Sequence, residues 1–221
     1  MVGTQVVRTG IPELLFSIGT GLPVTLAVAL GSWLLACTLG LGLDLLRRGR
    51  LLRSVVGVVI VVLRGVPELL AVFILFYGLA NHVRLGAFTA AITALGIKQA
   101  SFTAEIFKAS FRTVPRSQRE AGTSLGLARF QILRLIVLPQ AFRFALVPLL
   151  NVLVGLTKGA SIMAAIGVPE VIYRARTIMA LDLAVFPATL AMCLLYLGLT
   201  LPMTRGVRAL EAWLRGSRAL G

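Results

Sequence analysis

Residues 115–139 read PRSQREAGTSLGLARFQILRLIVLP, a polar stretch inside a chain that is otherwise mostly apolar. Its punctuation is that of two short helices. Proline at 115 disfavours a helical residue before it and fits a first helical turn, so a helix is expected to begin there. Ser117 and Glu120 stand at capping-box spacing, in which hydroxyl and carboxylate would each satisfy a free backbone donor. Gly126 follows about two turns on, where a left-handed C-terminal cap favours glycine. A second helix over 128–138 would then be ended by Pro139. Helices this short are marginal alone in water, so the stretch needs a partner surface.

The surroundings of the stretch are a bilayer composition. Hydrophobic residues make up 58% of the chain, charged residues 14%, and the mean hydropathy is +0.95, outside the range of soluble domains. Crossing a hydrocarbon core takes about 20 helical residues. Residues 14–43 and 183–204 offer such runs with no charge, and 54–81, 85–107 and 135–157 offer weaker ones, interrupted by Arg64, Glu68, Lys98, Glu105 or Arg143. The expectation is an all-α integral membrane protein, residues 1–221 forming one domain of five transmembrane helices, with 108–134 as the loop between the third and fourth.

Basic residues set the orientation, because short loops rich in them stay in the cytoplasm. Arg47, Arg48, Arg50 and Arg53 separate the first two spans. Lys108, Arg112, Arg116, Arg119, Arg129 and Arg134 separate the third and fourth, and Arg205, Arg208, Arg215 and Arg218 close the chain. Alternate loops are therefore basic, which predicts a multi-pass protein of the cytoplasmic (inner) membrane with its N-terminus outside and its C-terminus cytoplasmic. The net charge of +14 reads as topology and attraction to anionic membrane lipid. It does not read as nucleic-acid binding, since no stacking aromatics accompany the arginines.

Arg8 is isolated and the apolar run after it is too long for a cleavable signal core, so the first span is expected to stay. Cys37 and Cys193 lie in apolar runs and His82 is the only histidine, too few ligands for a metal site. There is no HExxH or GxSxG motif to suggest an enzyme and no GxxxxGK[ST] to hold ATP. If ATP drives this protein, another chain binds it.

Within the opening stretch, Glu120-Ala121-Gly122, Gly126, Ile136 and Leu138-Pro139 resemble, in residue and spacing, the EAA signature of permease subunits in ATP-binding-cassette importers. Other blocks resemble the polar amino acid branch of that family. Arg64-Gly65-Val66-Pro67 with FILFYGL is similar to its RG[TV]P segment, residues 101–107 to AYxAEIFR, Val114-Pro115 with Gln118 to VPKGQ, 138–141 to LPQA, and 166–170 to IGVPEL.

The resemblance implies a type I importer permease fold and no catalysis by this chain, which binds no cofactor itself. ATP and Mg²⁺ would sit on a partner ATPase subunit dimer, with a second permease subunit, identical or related, completing the pore and an extracytoplasmic amino-acid-binding protein delivering substrate. The loop carrying Ser117, Arg119, Glu120, Ala121, Gly122 and Gly126 would be the coupling element inserted into the ATPase. Glu120 would cap and orient the coupling helix, and Gly126 would turn the chain into the second. Arg116 and Arg119 would either pair with ATPase acids or serve as solvated positive-inside charge. Two departures stand out: Gly122 replaces the usual alanine, and Gly159-Ala160-Ser161 replaces Asp-Thr-Ser, so any role of that aspartate and threonine is not carried over.

Polar groups at membrane depth are expensive and face a cavity or a partner. Arg64, Glu68, Lys98, Ser101, Glu105 and Ser161 are therefore the candidates for a substrate path. Glu68 stands where many relatives have an apolar residue, and a carboxylate there suits a cationic substrate group. The competing reading is internal neutralisation, Glu68 with Arg64 and Glu105 with Lys98 or Lys108. Phe73, Phe76, Tyr77 and Phe102 read as packing, and glycines 19, 21, 31, 40 and 42 as sites of close helix approach. The expected function is ATP-driven import of a polar, possibly basic, amino acid. Alternatives are a neutral or acidic amino acid, or an ATP-independent channel or secondary carrier, neither of which needs a paired loop helix.

Overall fold

In the computed structural model, residues 11–49, 51–79, 83, 85–182 and 185–216 are described; Arg8, Arg50, His82, Leu183 and Arg218 lie outside them. α1 (Ile11–Gly19) leads into α2 (Leu22–Leu46), α3 (Arg53–Gly65) and α4 (Glu68–Phe73), then α5 (Ala87–Arg112). The loop helix α6 (Arg116–Ser124) precedes α7 (Arg129–Gln131) and α8 (Leu138–Gly159), and α9 (Val171–Asp182) and α10 (Val185–Gly216) follow.

The most extensive helix pairing joins α2 to α5, with α8 against both. Small side chains allow it. A Cβ on Gly40 would lie 2.0 Å from Thr103 Oγ1 and 2.8 Å from the Ala104 nitrogen, so only glycine permits this backbone approach. Thr103 uses the proximity to donate to the Ala36 carbonyl at 2.6 Å. Gly31 and Gly21 likewise stand against neighbours, whereas Gly19 has only a distant contact and Gly42 none, so those two are not packing glycines.

Among the described residues, three helical runs are long and apolar enough to cross a membrane: Ile11–Leu46, Arg129–Ile166 and Val185–Arg215. A fourth exists if the bent pair Arg53–Gly65 and Glu68–Gly78 counts as one span. The third expected span is instead the 26-residue α5, which is not among those runs. It is enclosed by α2, α3, α4 and α8, so Lys98, Ser101 and Thr103 face protein rather than lipid, and lipid never selected α5 for apolarity.

Other expectations need correction. The second span is not straight: it breaks at Val66-Pro67 with a bend of 105°, because proline forces the preceding residue out of the helical region, and Val66 is extended at ψ 126°. The second loop helix does not stop at Pro139. A π-turn over Ile132–Val137, in which the Leu138 nitrogen donates to the Leu133 carbonyl, joins α7 to α8 without a break. The wider turn relieves the clash that proline makes with the carbonyl four residues back. The segment before the last span holds a 3-10 helix over Ala160–Ile166, closed by Gly167 at φ +83°, and then α9; apolar runs gave no sign of either.

Candidate functional site

α6 begins at Arg116 with Pro115 as its N-cap and no side-chain cap. The Ser117–Glu120 capping box is therefore not formed: proline starts the helix early enough that Ser117 falls inside the first turn. The other end is as expected. Gly126 has φ +76°, its nitrogen donates to Thr123 O at 2.9 Å and the Leu127 nitrogen to Gly122 O at 3.1 Å, the paired bonds of a Schellman cap. Gln131 then accepts from the Ala128 nitrogen at 2.8 Å, opening the second helix.

The two helices lean together at Gly122, the one buried residue of α6. A Cβ there would come within 2.9 Å of Ile136 Cδ1 and 3.1 Å of Ile132 Cγ1, which explains glycine where the family signature has alanine. Gln140 Nε2 donates to Gln118 Oε1 at 2.6 Å, so a residue of each flanking motif block clasps the loop shut. Ser117, Glu120 and Ala121 are exposed. Arg119 is not a free cation: its Nη2 donates to the Phe111 carbonyl at 2.7 Å. The loop also exposes two large apolar residues that sequence reasoning missed, Leu125 at 80% and Phe130 at 68%, on either side of the Gly126 turn.

The second cluster surrounds the break between α3 and α4. Lys98, 8% exposed, donates from Nζ to the Val66 carbonyl at 2.5 Å, satisfying an acceptor that the broken helix leaves free. Arg64 lies over the Phe102 ring at 4.6 Å and reaches the Ser101 carbonyl at 3.5 Å. Ser101 is fully buried and spends its hydroxyl proton on Lys98 O at 2.8 Å. Half-buried Glu68 accepts from Gln99 Nε2 at 3.2 Å and makes no ion pair among the described residues, so the expected Glu68–Arg64 neutralisation is absent. Its Oε2 stands 3.5 Å from where a Cβ on Gly159 would lie.

Glu105 does not join this group. It pairs with Arg47 and, at 3.2 Å, with Lys108, while Arg47 also binds Asp44 at 3.1 Å. These ion pairs tie the end of α2 to the end of α5 beside the loop. Of the two partners expected on the same helix, Lys108 is used and Lys98 is not. Phe73, Phe76 and Tyr77 stack edge to face at 4.8–5.5 Å, and the first two pack on the main core, in keeping with a packing role.

Ser161 belongs to a third cluster, whose centre sequence reasoning missed. Glu170 is fully buried; its Oε1 accepts from the Tyr173 nitrogen at 2.8 Å and its Oε2 from the Tyr196 hydroxyl at 3.0 Å. Burial pushes its carboxyl above the usual range, against these donors. The Thr25 and Ser161 hydroxyls also interact with Tyr196. The available sign was Glu170 in the GVPE block together with Tyr196, a phenol in the middle of an uncharged span.

Residues 34–216 match the family described as binding-protein-dependent transport system inner membrane component. The probable amino-acid permease protein YxeN of Bacillus subtilis (strain 168) is 35% identical over 186 residues, covering 81% of this chain and 83% of the relative. The probable glutamine ABC transporter permease protein GlnM of the same organism is 35% identical over 156 residues, covering 70% and 72%. Among solved structures, an amino acid ABC transporter crystallised with histidines superposes with a TM-score of 0.82 at 26% identity, over 91% of this chain and 94% of that one. The coupling-type loop, the broken helix and the small-residue core thus sit in a known architecture, and the chain belongs to the family of binding-protein-dependent transport system inner membrane components, among the permeases of amino-acid ABC transporters.

Proposed function

We propose that this chain is one half of the membrane pore of an ATP-driven importer for a polar, basic amino acid, and that its 116–134 loop couples the pore to a separate ATPase. The observation that supports coupling is the loop itself. Its paired helices are locked by the Gly126 cap and the Gln118–Gln140 clasp, and they present Leu125, Phe130 and Glu120 outward. A rigid pair with exposed apolar tips suits a groove on another protein. ATP and Mg²⁺ act on that partner ATPase dimer, a second permease subunit completes the pore, and an extracytoplasmic binding protein delivers the substrate. The N-terminus faces outside, so that the arginine-rich loop is cytoplasmic.

A basic substrate is favoured by Glu68. Its carboxylate pairs with no cation among the described residues, and it projects next to Gly159, the position where the resembling family has aspartate. Here α4 supplies a carboxylate beside the end of α8, where glycine at 159 keeps a second negative charge away from it. A cationic side chain or α-ammonium is the natural counter-ion at that depth. Glu105, already doubly paired, has a structural role in this reading.

Uptake into proteoliposomes containing the chain with its ATPase and binding protein, with labelled arginine and glutamine in competition, tests the assignment. Glu68→Gln is expected to lower arginine uptake at least tenfold more than glutamine uptake, on the order of one charge-assisted contact. Equal losses for both would make Glu68 structural and remove the argument for a basic substrate.

A further inference from the structure

A cavity of about 990 Å³ opens between the ends of α2 and α5, α3, and the two helices of the loop. Nine arginine and lysine side chains line it against two carboxylates, Asp44 and Glu105. Both carboxylates are occupied already, Asp44 by Arg47 and Arg48 at 3.1 and 2.7 Å, Glu105 by Arg47 and Lys108. Arg53, Arg112, Arg116 and Arg129 make no ion pair among the described residues. Arg119, held by the Phe111 carbonyl, keeps a buried Nε donor with no acceptor. Gathering so many like charges around one space is unfavourable unless an anion enters it.

The walls are not uniformly polar. Gly57, Ile60 and Val61 of α3 and Leu133 of the loop complete them. α3 continues outward with Val55, Val58 and Val62 56–63% exposed, the surface a helix shows to acyl chains. A small soluble anion would use the arginines and leave the apolar wall without a partner. A molecule with a phosphate at one end and hydrocarbon at the other uses both.

We propose that this cavity binds the anionic headgroup of a membrane phospholipid, with the phosphate among the unpaired arginines and the acyl chains along α3. Planar guanidinium groups bind phosphate oxygens in a bidentate fashion, and basic pockets between helices on the cytoplasmic side suit anionic headgroups. Because Arg116, Arg119 and Arg129 belong to the loop and Arg53 to α3, an occupied cavity fastens the loop to the lipid-facing helix. The site is independent of the transported substrate, and its test needs no transport.

Thermal unfolding and native mass spectrometry of the full chain in detergent test it, with phosphatidylglycerol, phosphatidylcholine or inorganic phosphate added. Phosphatidylglycerol is expected to raise Tm and stay bound where phosphatidylcholine does not. R53Q/R112Q/R129Q should weaken phosphatidylglycerol binding roughly tenfold or more, and the charge-matched R174Q/R176Q/R205Q, away from the cavity, should leave it unchanged. Equal retention of phosphatidylcholine, or equal weakening by both triples, overturns the proposal; a Tm rise reproduced in full by inorganic phosphate overturns the lipid assignment in favour of a soluble anion. Should the first triple not fold, R53Q alone is expected to reduce phosphatidylglycerol retention several-fold, and unchanged retention overturns the proposal.

Discussion

Gly21 shows how one residue fixes the neighbourhood of a buried carboxyl group. A Cβ there would lie 2.6 Å from both the Glu170 carbonyl carbon and the Val171 nitrogen, backbone atoms that cannot swing aside. The Thr25 hydroxyl, one turn along α2, accepts from the Val171 nitrogen at 3.4 Å, so the start of α2 and the Glu170 segment are held face to face. Gly21→Ala is expected to lower Tm by an overpacking penalty of about 1–3 kcal/mol, measured by thermal unfolding in detergent. An unchanged Tm would mean that the segment yields freely. Glu68 and Glu170 also show what a sequence conceals. Both are acids near apolar runs, yet among the described residues one pairs with no cation and the other is enclosed by hydroxyl and backbone donors, a difference of partners that spacing along the chain does not encode.

At the scale of the element, the loop was the most legible part of the sequence. Pro115 and Gly126 each answer a local backbone demand, and local demands are written in residue type; Gly122, in sequence only a departure from alanine, has its reason in the packing of Ile132 and Ile136. Pro139 misled because its usual effect, ending a helix, is cancelled by the π-turn over Ile132–Val137, which no residue in that run announces. Ser117 misled because Pro115 competes for the same helix start and wins. The Schellman cap supports a direct experiment. Proline cannot adopt φ +76° and has no N–H to give Thr123 O, so Gly126→Pro should leave insertion intact while uncoupling uptake from ATP hydrolysis, as should Glu120→Lys on the exposed face of α6. ATPase rate and uptake measured together in the reconstituted complex decide this. Coupled transport at the original ratio in both variants would deny the loop its role.

For the whole molecule, hydropathy marks strongly the helices with apolar outward faces and only weakly the enclosed α5, which overlaps the expected span 85–107. Residues 14–43 and 183–204 lie within Ile11–Leu46 and Val185–Arg215 except at the undescribed 183 and 184, because their outward faces must be apolar. α5 carries Lys98, Glu105 and Lys108 and still forms the centre of the fold, since α2 packs closely on it through Gly31, Gly40 and Gly96 and α8 lies against it as well. Its place depends on what surrounds it, which composition alone does not reveal. The 105° break at Val66-Pro67 is set locally by the proline, but the group that satisfies the freed Val66 carbonyl, Lys98 on α5, comes from elsewhere in the fold. In the proposed function this chain forms a pore whose opening is driven by ATP hydrolysed elsewhere. The most direct measurement is labelled amino-acid uptake into proteoliposomes containing the chain with and without its ATPase, binding protein and internal ATP. Uptake that requires all three is the predicted result; uptake by the chain alone, unaffected by ATP, would contradict it and identify a channel or secondary carrier.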